Sequence, residues 1–197
     1  MKELFTRYPA LSVCWQDIQK ALCLIIDTYE NGGKTLVCGN GGSAADSEHI
    51  VGELMKGFLK KRPVTDERMP EELRQRLQGS LPAISLPSQC AILSAFINDV
   101  APENAYAQLV YGYAREHDLL IGISTSGNSE NVVNAVRVAN ALNIRTLSLT
   151  GARESKLSEI SDVTIRVPET ETYKVQELHL PVYHYLCAAC EEHFFSL

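Results

Sequence analysis

The 197-residue chain is 45% apolar and 21% charged, the balance of an ordinary globular protein long enough to bury the core of one α/β domain. Its formal net charge of −6 has the wrong sign for a nucleic-acid surface, and the short basic run Lys60-Lys61-Arg62 reads as a solvated loop, so no nucleic-acid partner is expected. No stretch approaches the ~20 apolar residues that span a bilayer, and the opening residues hold no apolar signal core, so a cytoplasmic protein with no membrane partner is expected.

Apolar residues recur at helical spacing over residues 11–30 and stop at Asn31-Gly32-Gly33, a C-cap signal, so residues 1–32 form an N-terminal helical segment. Thr35-Leu36-Val37-Cys38 is a short apolar strand that runs straight into Gly39-Asn40-Gly41-Gly42-Ser43 and a helix over residues 44–58. Residues 59–81 break the composition with charges, Pro and Gly, and Pro70-Glu71-Glu72-Leu73-Arg74 predicts a short surface helix. This segment reads as an exposed insertion, shaping a rim or an oligomer contact, within one domain spanning residues 1–197. A second strand is predicted over 82–86, helices over 91–97 and 103–116, and a third strand at Leu119-Leu120-Ile121-Gly122-Ile123. The loop Ser124-Thr125-Ser126-Gly127-Asn128-Ser129 leads into a helix over 130–142, strands follow at 145–149 and 163–167, and a long helix over 173–193 closes the chain. Short, wholly apolar strands separated by helices indicate an α/β protein, a three-layer αβα sandwich around a five-stranded parallel sheet. Most of the six cysteines sit in apolar segments, and Cys187-x-x-Cys190 lies mid-helix with no second pair, which reads as core packing.

Ligands of an open parallel sheet bind beyond the carboxyl ends of the strands. Two loops stand there: the glycine-rich turn with Ser43 at a helix start, and the hydroxyl-rich turn of residues 124–129. Each precedes a helix N-terminus, where unpaired N–H groups and about half a positive charge receive a phosphate. No lysine follows the glycines and the dinucleotide G-x-G-x-x-G spacing is absent, so triphosphate hydrolysis and dinucleotide binding are disfavoured. A neutral, hydroxyl-lined cradle fits a small phosphosugar. Single loops of this kind also occur as plain capping and turn chemistry; the pair together carries the reading.

His49 and Glu53 share one helix face at i, i+4, a spacing that holds a divalent metal or makes a surface hydrogen-bonded pair. The last helix carries Gln176, His179 and His184 in an apolar stretch around Pro181, and lone histidines in such a setting are commonly satisfied core residues. Gln176 and His184 are separated by eight positions, about 12 Å along a helix axis. One ion is therefore reached by both only across a subunit interface or through a break near Pro181.

Cys38-Gly39-Asn40-Gly41-Gly42-Ser43-Ala44-Ala45-Asp46, then His49 and Glu53, Asn98-Asp99, Ile123-Ser124-Thr125-Ser126-Gly127-Asn128-Ser129, and Gln176-Glu177-Leu178-His179 with His184 resemble the phosphoheptose isomerases of the SIS superfamily. Order and approximate spacing match over nearly the whole chain. The resemblance implies a flavodoxin-like SIS fold, a homotetramer with active sites between subunits, and conversion of sedoheptulose 7-phosphate to D-glycero-D-manno-heptose 7-phosphate. It implies one zinc ion per site on His49, Glu53, Gln176 and His184. It also implies substrate contacts from Asn40, Gly41, Gly42, Ser43, Glu53, Asn98, Asp99, Ser124, Thr125, Ser126, Ser129 and Gln176. Glu53 would be the general base and His184 the general acid, carboxylate and imidazole coming from neighbouring copies. The sequence departs from the family pattern in its long 59–81 segment, in Gly57 where arginine is common, and in Tyr173 where aspartate is common. Two other readings stand beside this one: an SIS isomerase for another sugar phosphate, and a non-catalytic SIS protein that binds a phosphosugar or a partner protein. Retention of both Glu53 and His184 speaks against the latter.

Overall fold

The computed structural model describes residues 2–196. Helix α1 (Lys2–Arg7) and a 3-10 turn (Pro9–Cys14) lead into α2 (Trp15–Glu30). Strand β1 (Thr35–Gly39) feeds α3 (Gly42–Met55), and the short α4 (Glu71–Arg74) lies in the segment before β2 (Ala83–Ser85). Helices α5 (Cys90–Asp99) and α6 (Ala105–Tyr113) precede β3 (Leu119–Ile123). Then come α7 (Glu130–Ala141), β4 (Arg145–Thr150), α8 (Lys156–Ile160), β5 (Val163–Arg166) and the long α9 (Thr172–Phe195).

The five strands pair in the order β2-β1-β3-β4-β5, every pair parallel. Side chains alternate across the sheet and split the core in two. Val37, Ile121, Leu147 and Ile165 join α2, α3 and α9 on one face, while Leu36, Cys38 and Leu120 join α6 and α7 on the other. With both faces covered, β1 and β3 are buried at every position, which is why they read as unbroken apolar runs. Among the described residues no helix is long and apolar enough to cross a membrane.

Three local features depart from the expected elements. The helix expected over 11–30 starts as a 3-10 turn at Pro9, and only Trp15 onward is α-helical. Helix α8 carried a quiet signal, a capping box in which Ser155 and Ser158 bond each other's backbone N–H. Helix α9 runs through Pro181 unbroken, although proline forfeits one backbone bond. Pro181 is itself buried, and Val182, Tyr183, Leu186 and Cys187 join the core on that face of the sheet, which holds the helix there. Cys187 and Cys190 are free and buried, and desolvation raises both thiols, Cys190 to about 12, as befits packing groups.

The solvated-loop reading of Lys60-Lys61-Arg62 is corrected at its last residue. The Arg62 side chain is fully buried, 2.7 Å from Glu191 Oε1. It also donates to the carbonyls of Leu54 (2.7 Å) and Glu53 (3.0 Å) and sits over the Phe195 ring. Glu191 accepts in addition the N–H groups of Phe58, Leu59 and Lys60. Burial pushes the Glu191 carboxyl up, but those N–H groups and Arg62 outweigh it and hold it below its ordinary value. Stability from a carboxyl held low is present above its unfolded pKa and is lost as pH falls through the folded one. Arg62→Ala strands the Glu191 charge and is expected to cost about 3–5 kcal/mol in urea unfolding at neutral pH, with the deficit shrinking on acidification. A cost that does not change with pH would contradict this.

Candidate active site

Strand order reverses between β1 and β3, which lie side by side with Gly39 in register with Ile123. A crevice opens at the carboxyl ends of such a pair, and both loops singled out in the sequence rise from it. They are tied directly: Asn40 and Asn131 exchange two amide hydrogen bonds of 2.8 and 2.9 Å, so the turn after β1 is locked to the first turn of α7. In the second loop Ser124 Oγ lies 3.0 Å from Ser129 Oγ and 3.5 Å from Ser126 Oγ. The Asn128 N–H donates to Ser126 Oγ, which bends the loop around its hydroxyls. Gly127 takes φ +66°, and a Cβ there would stand 2.0 Å from Ser155 Oγ, so both backbone and space require glycine.

Helix α3 leaves the first loop and packs beside α9 in the same direction. Gly42 meets the Gln176 amide, Asp46 and His49 meet Tyr183, and His49 meets His184. His49 Nε2 lies 3.2 Å from Glu53 Oε1 and 3.2 Å from His184 Nε2. The ligand-type atoms of His49, Glu53 and His184 all fall within 4.8 Å of one another. Glu53 is mostly buried, and its Oε2 has no hydrogen-bond partner among the described residues; the Lys56 ammonium stands 3.9 Å away. Burial, then the neighbouring His49, push the His184 imidazole below its usual value and favour its neutral form. Phe58 covers the His184 ring at 5.5 Å between centroids.

One carboxylate oxygen and two imidazole nitrogens converging with an orphaned buried oxygen beside them make a donor set that fits zinc, whose catalytic sites use three protein ligands and one open position. Glu53 and His184 come from the same chain. That corrects the expectation that neighbouring copies supply them, and the cause is the parallel α3–α9 packing, which sets one turn of each helix against the other. Gln176 is elsewhere in this chain: its amide rests on Gly42, where a Cβ would come within 2.5 Å of Nε2.

The SIS domain family profile matches residues 10–151. A phosphoheptose isomerase of Helicobacter pylori is 38% identical over 197 residues, covering 98% of this chain and 94% of its own length. The solved structure of a phosphoheptose isomerase from Neisseria gonorrhoeae superposes with TM-score 0.80 at 29% identity, covering 97% of this chain and 94% of that one. The one from Francisella tularensis gives TM-score 0.77 at 31% identity over 90% of this chain and 86% of that one. The chain belongs to the phosphoheptose isomerase family.

In this family member the structure groups Asn40, Gly41, Gly42 and Ser43 in one turn and Ser124, Thr125, Ser126 and Ser129 in the next, with His49, Glu53 and His184 further along α3 and α9. Asn98 and Asp99 bond each other at the exposed end of α5 and make no hydrogen bond to either loop among the described residues. His179 is fully buried, its Nε2 against the Thr150 carbonyl, and desolvation lowers it to about 4, a structural histidine as its apolar surroundings indicated. Gly57, at the position where arginine is common, donates its N–H to Gln78, and Lys56 supplies the cation beside Glu53. Sequence reasoning did not find Asn131, Phe58 or Tyr183. Asn131 lay within reach of inspection as a polar residue in the first turn of a helix behind a ligand loop; Phe58 and Tyr183 looked like core.

Gly127→Ala forces a side chain into the left-handed region, about 1–2 kcal/mol, and onto Ser155. We expect lower thermal stability together with weaker phosphate binding to the loop, both read by differential scanning fluorimetry with and without inorganic phosphate. An alanine variant with unchanged melting and unchanged phosphate response would contradict the role given to this turn.

Proposed function

We propose that the chain isomerises sedoheptulose 7-phosphate to D-glycero-D-manno-heptose 7-phosphate. The single observation that carries this is the convergence of His184 of α9 with His49 and Glu53 of α3, the helix that starts at a phosphate-type turn. His49 lies about 10 Å along α3 from Gly42, a span fitted to a chain with phosphate at one end and carbonyl at the other. The hydroxyls of Ser124, Ser126 and Ser129 and the α7 N-terminus receive the phosphate. Asn40, Gly41, Gly42, Ser43, Thr125, Asn98, Asp99 and Gln176 are the further substrate contacts of this reading.

Aldose–ketose exchange moves one proton between C1 and C2 through an enediol, with no net redox change. Glu53 takes the C1 proton of the ketose, and His184 gives the C2 carbonyl oxygen the one N–H proton that its neutral ring keeps. The enediol then loses its O1 proton to His184 as C2 takes the proton back from Glu53, leaving the C1 aldehyde. A divalent ion held by His49, Glu53 and His184, zinc by the chemistry of these donors, would supply charge stabilisation for the enediolate. Gln176 is the fourth ligand of this reading, and its distance from His184 along α9 favours its arriving from a second subunit. The apolar helix α5 fits the same picture. It has no buried residue and leaves Ile92 and Ile97 exposed, a face consistent with a homotetramer whose sites lie between subunits.

The test is a rate measurement on ketose phosphates of five to seven carbons, followed by NMR. The seven-carbon substrate should be preferred, with Glu53→Gln and His184→Ala each lowering kcat by at least about 10²–10⁴-fold. Preserved rates in both variants, or preference for a shorter sugar, would overturn the reading.

A further inference from the structure

A hydrogen-bonded chain leads away from the trio into the protein. The Tyr183 hydroxyl lies 3.1 Å from His49 Nδ1 and donates to Asp46 Oδ1 at 3.1 Å. Tyr183 is 2% exposed, and its ring meets that of His49 edge-on at 5.4 Å. We propose that Tyr183 and Asp46 are positioning residues that fix His49 as the Nδ1–H tautomer and so bare its Nε2 lone pair toward Glu53 and His184. This rests on the metal-site reading given above.

Proton counting decides the direction. A phenol has one proton, and a carboxylate only accepts. The Tyr183 proton goes to Asp46, so the phenol oxygen facing His49 has lone pairs to offer, and the contact is a hydrogen bond only if Nδ1 carries hydrogen. A neutral imidazole has one N–H, so Nε2 is then bare and stands 3.2 Å from Glu53 Oε1, two acceptors that a cation between them reconciles. The reverse arrangement, Tyr183 donating to Nδ1, would set the phenol oxygen against Asp46 Oδ1. Asp46 Oδ2 is already buried without a partner among the described residues. Asp46 Oδ1 would then join Oδ2 without a donor, a costlier state than one orphaned oxygen. Asp46 stands three positions before His49 on the same helix, so a single element carries both ends of the relay while α9 brings the middle. Outer partners of this kind orient a ligating histidine and raise its basicity.

Two measurements test it. In zinc-loaded wild-type protein, long-range ¹H–¹⁵N spectra should find the His49 proton on Nδ1 and protected from exchange, and Tyr183→Phe should lose that protection; a proton on Nε2, or equal protection in the variant, overturns the relay. Titration with Co²⁺, followed by its visible absorption, should show Tyr183→Phe weakening affinity by about 10–100-fold, in a variant that stays folded at the titration temperature although its melting falls because Asp46 loses its donor. Asp46→Ala should add little once Tyr183 is phenylalanine, because both act through one proton. Wild-type binding with equal affinity in Tyr183→Phe overturns the relay alone. A wild-type chain that takes up no Co²⁺ overturns the metal reading and the relay with it.

Discussion

The structure depends on two helices, α3 and α9, lying side by side in the same direction. Parallel neighbours keep step, so residues spaced along one helix meet residues equally spaced along the other. Gly42 faces Gln176, Asp46 and His49 face Tyr183, and the Leu54 carbonyl faces the Arg62–Glu191 pair. Slide one helix by a turn and every one of these contacts fails together. Both helices also cover the same face of the sheet, through Ile50 and Leu54 on one and Val182 and Leu186 on the other, so the core that stabilises the fold also sets the register of the site.

The sheet supplies the second element of position. Because β1 and β3 are neighbours, the turns that follow them open into one crevice, and the Asn40–Asn131 amide pair closes the gap between them. The 59–81 segment secures the far end of α3. Its Arg62 binds the last carbonyls of that helix while Glu191 of α9 holds the backbone of Phe58, Leu59 and Lys60. The buried pair is thus a clamp between the two site-bearing helices, and Phe58, held by that clamp, forms one wall beside His184.

Strands and loops were legible in the sequence because they announce themselves locally. A continuous apolar run such as Leu119–Ile123 has few other destinations than a buried parallel strand, and a glycine- or serine-rich turn directly behind it locates the ligand end of the sheet. The i, i+4 pair His49 and Glu53 was legible for the same reason. What was not legible depended on pairing between distant segments. Nothing within the sequence around Arg62 shows that its charge is buried against a residue 129 positions away. Nothing around Tyr183 distinguishes a hydroxyl that joins a polar network from a core tyrosine. The direction of α9 relative to α3 is also a tertiary fact, and without it His184 was assigned to a different copy of the chain from Glu53. Gln176 sits at Gly42, near the other end of the paired helices from His184.

The most direct test of this arrangement is anomalous diffraction at the zinc edge from crystals of the zinc-loaded protein. The account predicts one strong peak per chain at about 2.0–2.2 Å from His49 Nε2, Glu53 Oε1 and His184 Nε2 of the same subunit. No peak at that position, or a peak whose histidine and carboxylate come from different subunits, would contradict it.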